Sequence, residues 1–555
     1  MTETLLLLET SGNQNYIFST NKLKQHIGAS ELTYRAGTVW LRRALGVDAE
    51  DSPSQWRDRL RRSGGRIADG IEVVIATSGK AVLICENSER AHAIVRATTT
   101  SALTDAPGLQ LTGAVVELGG RTAAQARQAM IEVHQRFNAH RQSLSAHLAR
   151  FPVLPMAAAC DTSGLPAVQV DARDGSLASA ASRAKNEAAP DWFKRIRRLR
   201  DDHQAEIRFV FGIDEIGRRF AQDYVGVLHA DGNGLGQIVL AFDRWLDHGE
   251  DYFATLRDFS LELDEATERA FIDACASAQS LCNALRDQQA SDLPVLPLIL
   301  GGDDLVAVVG GDIALPFVIA FLRAFERRTH EQPTLSKVAK KALGAPHLGI
   351  SAGLAWVKPH YPFALAYQLA ESLLQSAKEI KRRVTTDQGP YPCSSFDAHL
   401  LLDASGGDLD AIRARRRGPL GERLWGGPYV VTPHERFAAL DEGVRQWVES
   451  HHVESLCRAI ASIQAQDEDG RHRLPRSQLH ALREALSEKG QAADQLYGLL
   501  CQRYQGATDL GCSSGSLFHV SDAGMRTLFL DALSWSALWP GMADCAATQV
   551  VEAST

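Results

Sequence analysis

The sequence predicts an α+β protein built on two copies of a β-α-β-β-α-β unit, with helical segments between and after them. Three observations predict it. The apolar runs IEVVIAT (71–77) and KAVLICE (80–86) meet at Ser78-Gly79 as a hairpin between helical patterns. A second such hairpin lies in LPVLPLILGGDDLVAV, Leu293 to Val308. Each is flanked by a strand–helix before it and a helix–strand after it, an internal repeat.

The first copy occupies residues 1–120. ETLLLLE (3–9) reads as a strand. The helical spacing that follows is broken near Gly28-Ala29-Ser30 and resumes at Glu31. The hairpin comes next, then a helix from Ser88 to Thr98 and a strand, LQLTGAVVEL (109–118). This order is the ferredoxin-like, or palm, arrangement. Residues 121–205 read as a helical connector, looser near 152–182. The second copy spans 206–400. It has a buried strand YVGVLHA (224–230), helical patterns at 235–248 and 262–286, and the second hairpin. A helix (Ile313 to Thr329), a strand (348–357) and a helix (362–383) complete it. From 401 to 555 amphipathic helices dominate, introduced by LWGGPYVVTPHE (424–435).

Composition sets limits. With 555 residues, 45% hydrophobic and 23% charged, the chain is an ordinary globular protein of several domains. A net charge of −8 gives no bulk case for nucleic-acid binding. The basic run from Arg183 to Arg200, with Trp192 and Phe193 inside it, could face RNA or another subunit; a solvated helix face is the plainer expectation. The N-terminal LLLL has no basic leader, so no signal peptide is expected, and no apolar stretch suits a membrane span. The nine cysteines contain no CxxC pair, against a zinc knuckle or a disulfide framework. The expected setting is cytoplasmic and reduced.

The chemistry centres on Gly301, Gly302, Asp303 and Asp304. Gly and Asp are common turn residues, so a solvated turn is one reading. Two adjacent acids repel, however, and a divalent ion between them would relieve it. Asp231 ends the preceding strand and opens the turn Gly232, Asn233, Gly234, Leu235, Gly236. One acid from a strand beside two from a hairpin is the minimum set for two-metal phosphoryl or nucleotidyl transfer, with Mg²⁺ or Mn²⁺ as the two ions. The glycines would present backbone N–H groups to phosphate. Lys378 sits in the last helix of the unit, where it could offset charge on a departing pyrophosphate. The first hairpin (Thr77, Ser78, Gly79, Lys80) holds no carboxylate and could not bind two metals.

Asp231 with GNGLG, the GGDD hairpin, ISAGLAW and AESLLQSAKE together resemble the catalytic palm of the type III CRISPR large subunit. SGNQNYIFSTNKLKQHIGASELTYRAG resembles that family's first, catalytically empty palm. The family's palms are of the GGDEF and polymerase type, and it makes cyclic oligoadenylates from ATP in antiviral defence. The resemblance implies that Asp231, Asp303 and Asp304 bind the metals, that Gly232 to Leu235 wrap a triphosphate and that Lys378 touches it. It also implies partners: ATP, guide and target RNA, and other type III effector subunits. Two family features are missing. No His-Asp dipeptide or room for an HD domain precedes the first palm, so single-stranded DNA cleavage is not expected, and no four-cysteine zinc site occurs, so no zinc is expected. Two alternatives stay open: a non-catalytic RNA-binding scaffold subunit, and a GGDEF-type diguanylate cyclase using GTP.

Overall fold

The computed structural model describes residues 2–539 except 48–50, 144–154, 172–174, 211, 221, 287–291, 388, 403–405, 489, 505, 513–514 and 522–523. Parts of the looser 152–182 stretch therefore lie outside the described residues.

The first sheet has five strands: β1 (Thr4–Ser11), β2 (Arg66–Ala68), β3 (Ile71–Thr77), β4 (Lys80–Cys85) and β5 (Gln110–Glu117), in the order β2-β3-β4-β1-β5. Four consecutive leucines form β1 because both sheet faces are covered. Leu5 and Leu7 join one apolar cluster, Leu6 and Leu8 the other, as a period of two requires. Helices α1 (Asn13–Ile17), α2 (Leu23–Gly37), α3 (Val39–Ala44), α4 (Pro53–Ser63) and α5 (Ser88–Asp105) fill the connections.

The expected break at Gly28-Ala29-Ser30 does not occur. Those residues lie inside α2, and the chain turns earlier, at Phe18–Lys22. The small residues serve packing instead: a Cβ on Gly28 would sit 1.7 Å from the Lys185 carbonyl oxygen, so only glycine admits the neighbouring helix this closely.

After α6 (Ala123–Ser143) come a small hairpin, β6 (Ala167–Val170) and β7 (Leu177–Ser179), and α7 (Ala180–Asp202). The basic run of α7 is not simply a solvated face. Trp192 and Lys185 are buried, and Arg195 Nε meets Glu31 Oε2 of α2 at 3.0 Å.

The second sheet is larger. After α8 (Ile213–Phe220) come β8 (Val225–Gly232), α9 (Leu235–Leu240), α10 (Tyr252–Arg286), β9 (Val295–Gly301) and β10 (Asp304–Gly310). Then follow α11 (Ala314–Glu331), α12 (Pro333–Leu343), β11 (Ile350–Val357) and α13 (Phe363–Lys378). α10 starts ten residues ahead of the expected 262, and α12 was not anticipated, its Pro333 standing at a helix start where proline fits. Beyond a short hairpin, β12 (Thr385–Thr386) and β13 (Gly389–Pro390), the strands β14 (Ser395–Leu400) and, after α14 (Leu409–Arg415), β15 (Tyr429–Val430) extend the sheet to β15-β14-β11-β8-β10-β9. Pairing thus runs past residue 400. The rest is helical, α15 (Glu442–His451), α16 (Val453–Gln464), α17 (Arg476–Glu488), α18 (Gly490–Arg503) and α19 (Phe529–Trp535), with one hairpin, β16 (His519–Ser521) and β17 (Gly524–Arg526). Both sheets carry the four-strand order of the ferredoxin-like palm, as the repeat predicts. No helix among the described residues is long and apolar enough to cross a membrane.

The palms are joined directly. On α10, Asp264 and Glu268 take Arg57 of the first palm at 2.8 and 2.5 Å, and Arg257 reaches Glu72 of β3 at 2.5 Å. Phe18, just after α1, stacks on Tyr367 of α13 with centroids 4.0 Å apart.

Candidate active site

β8 and β10 are antiparallel neighbours, with Ala230 opposite Leu305. The next step of that register sets Asp304 opposite Asp231. Across the two-residue turn Gly302-Asp303, Asp304 pairs with Gly301. Gly301 (φ 159°) and Gly302 (φ 64°) take positive angles there. The turn is clamped from α10: Asp264 Oδ1 accepts the Gly302 N–H at 2.9 Å, and Thr267 Oγ1 donates to the Gly302 carbonyl at 2.6 Å.

All three predicted acids therefore come to one end of the sheet. Asp303 accepts from the backbone N–H of Gly232, and a Cβ on Gly232 would lie 2.8 Å from Asp303 Oδ2. Burial raises the Asp303 carboxyl, while its backbone hydrogen bonds and Lys80 of the first palm pull it down. Burial, Asp303 and Glu371 push Asp304 up to about 8. Asp231 is held differently, in an ion pair with Lys378 at the end of α13. Burial and the neighbouring Lys381 lower that lysine to about 8. The three carboxylates are not drawn within 4.8 Å of one another.

The glycine turn is only partly open to a ligand. Asn233 gives its backbone N–H to Gly349 at 2.9 Å and its side-chain N–H to Cys393 at 3.0 Å, and takes the Ser351 hydroxyl at 3.0 Å. It ties β8 to β11. Gly234 (φ 76°) starts α9 with no side-chain cap.

Three residues that motif reading missed surround Asp304. His229 Nδ1 is 2.7 Å from Glu371 Oε2, its Nε2 is 4.0 Å from Asp304 Oδ1, and its ring stacks on Tyr367. Contact with His229 lowers the Glu371 carboxyl. Spacing could have found them. His229 lies two before Asp231 on a strand; Tyr367, Glu371 and Lys378 lie on one face of a helix at i, i+4 and i+11.

The first palm gives the internal comparison. Its hairpin closes the same way, Thr77 opposite Lys80, and Lys80 stands opposite Glu9. Glu9 and Lys80 therefore occupy the places of Asp231 and Asp304, as an ion pair at 3.3 Å. Gly37 of α2 lies on this hairpin, where a Cβ would be 2.0 Å from the Thr77 carbonyl oxygen. The two hairpin tips touch: a Cβ on Gly301 would be 3.5 Å from Ser78 Cβ.

The fold and the acid-bearing hairpin define a palm-domain protein in which the second hairpin carries two acids and the first carries none. Residues 224–385 match the family described as Cas10/Cmr2, second palm domain, so the likeness to that family covers the second palm. No curated protein matches the chain. Among solved structures it resembles the Csm1–Csm4 cassette in complex with cA4, at 13% identity and a TM-score of 0.51 over 97% of this chain and 70% of that one. Csm1 in T.onnurineus gives the same values. The Csm1–Csm4 cassette in complex with pppApA gives 13%, 0.51, 97% and 69%. At such identity the likeness concerns the fold.

Proposed function

We propose that the chain is a nucleotidyl cyclase that joins ATP into cyclic oligoadenylate with release of pyrophosphate, in type III CRISPR-like defence. One observation carries this reading: Asp231, Asp303 and Asp304 share one end of the second sheet, with Lys378 on Asp231 and no acid at the matching hairpin of the first palm. The relatives crystallised with cA4 and pppApA support the nucleotide class.

The donor set suits a hard divalent cation, since it offers carboxylate oxygens alone, and burial together with Asp303 and Glu371 makes ionisation of Asp304 costly, a cost that a bound cation would offset. Asp231, Asp303 and Asp304 would hold Mg²⁺ or Mn²⁺, which would supply an activated hydroxyl and a neutralised leaving group. In the reaction, a ribose 3′-oxygen forms a bond to the α-phosphorus of a second ATP. The bond to the β-phosphate oxygen breaks, pyrophosphate leaves with the electron pair, and the hydroxyl proton passes to solvent. Repetition and closure give the ring. Lys378, released from Asp231, would stand where its charge meets the triphosphate. RNA and other type III subunits would supply the activating context.

The test is incubation of the purified protein with ATP and Mn²⁺, adding guide complex and target RNA, with products read by mass spectrometry. Cyclic oligoadenylate is expected from the wild type and none from Asp303→Ala/Asp304→Ala. Equal product from both would sink the assignment, and GTP-derived product alone would favour a diguanylate cyclase.

A further inference from the structure

His434, His452 and Glu454 lie apart from the acids of the palm. Among the described residues they are the one set of three metal-capable side chains whose donor atoms all fall within 4.8 Å of one another. His434 opens the turn His434–Phe437, His452 caps α16, and Glu454 is the second residue of that helix.

The distances suit a small ion. Glu454 Oε2 is 3.6 Å from His434 Nε2 and 3.8 Å from His452 Nδ1. A zinc-sized ion with bonds of about 2.0–2.1 Å separates tetrahedral ligands by about 3.4 Å, so both edges close with small shifts. The two imidazoles lie against each other, centroids 3.7 Å apart and 34° between planes, so metal binding requires the half-buried His434 ring to turn out of that stack.

The opposite nitrogens are already engaged in the way ligating histidines require. His452 Nε2 meets the Thr432 carbonyl at 3.1 Å, which leaves Nδ1 as the lone pair facing Glu454. That lone pair takes only a 3.4 Å contact from the Glu454 backbone N–H. His434 Nδ1 is 3.4 Å from Glu449 Oε2, which leaves Nε2 facing Glu454. The other Glu454 oxygen lies 3.9 Å from Arg323 Nη2 of α11. A metal-bound imidazole characteristically donates its second N–H to a carboxylate or a backbone carbonyl; His452 already meets a carbonyl, and Glu449 stands within ion-pair range of His434 Nδ1.

We infer that His434, His452 and Glu454 bind a divalent transition metal of the zinc class, with water in the fourth position. The site fastens α16 to the edge of the second palm, where Val430 of β15 already bridges His452. The expectation of no zinc rested on cysteine spacing. Two histidines 18 residues apart, with a glutamate two further on, carry no such signature.

The test uses full-length protein carrying Asp303→Ala/Asp304→Ala, which removes two of the three acids of the palm and leaves Asp231 paired with Lys378, stripped of metal and titrated with Zn²⁺ against a chromophoric chelator. One equivalent should bind. His434→Ala and Glu454→Gln, both at partly exposed side chains, should each weaken it by at least about 10²-fold, and Glu449→Gln by about 10-fold through its place beside His434. Co²⁺ should give the intense visible bands of a four-coordinate site, absent in His434→Ala. Failure of this double variant to bind Zn²⁺, or binding unchanged in His434→Ala, would overturn the inference.

Discussion

Lys378, the last residue of α13, is ion-paired with Asp231 at the end of β8, so one of the three acids already has a cation beside it. A metal ion bound by Asp231, as proposed, would compete with the lysine for that carboxylate. Lys378→Met should therefore increase the rise in melting temperature that Mg²⁺ produces, while turnover of ATP falls by about 10²-fold as a stabilising charge is lost. Calorimetry with and without Mg²⁺ separates the two effects. A variant that loses its Mg²⁺ response would show that the lysine helps to assemble the metal site instead.

Asp264 and Thr267 hold the Gly302 turn from α10, and Asp264 also meets Arg57 of the first palm. Asp264→Ala leaves a turn N–H and part of a buried guanidinium unpaired. It should destabilise the protein by about 1–3 kcal/mol. Turnover should fall about 10²-fold through misplacement of Asp303 and Asp304. Urea unfolding and product assays check both. Full activity in a destabilised variant would mean that the hairpin needs no clamp.

Phe18 and Tyr367 join the palms by a stacked ring pair. A double-mutant cycle of Phe18→Leu and Tyr367→Leu should give a coupling of about 1 kcal/mol in urea unfolding. A coupling near zero would mean that area alone holds this contact.

The sequence made much of this visible, for identifiable reasons. The two hairpins stand out because apolar runs flank short glycine-bearing turns, and Asp231 because it ends a buried strand. Gly28 misled because glycine inside a helix reads as a break unless the facing backbone of Lys185 is known. Asp264 and Thr267 were invisible for a different reason. They lie on α10 about 35 residues before the turn they clamp, so only the tertiary fold brings them to Gly302.

Lys185 gives a pH signature. Its ammonium is buried, bonded to the Tyr16 carbonyl at 2.5 Å and the Ser19 hydroxyl at 3.0 Å, and burial lowers it from 10.5 to about 8. The folded state therefore binds this proton less tightly than the unfolded chain does. Its contribution is least favourable below pH 8 and improves between about 8 and 10.5, by roughly 3 kcal/mol in total. The stability of the wild type relative to Lys185→Met should rise across that window in urea titrations. A constant difference would mean that the lysine titrates normally.

The central claim is that the acids of the second palm carry the chemistry. The most direct measurement is the stoichiometry of pyrophosphate released to adenylate incorporated, in the wild type and in Asp304→Asn, which keeps the shape and removes the charge. One pyrophosphate per adenylate is expected from the wild type, with both signals falling together by at least about 10³-fold in the variant. Undiminished release from Asp304→Asn would contradict the account.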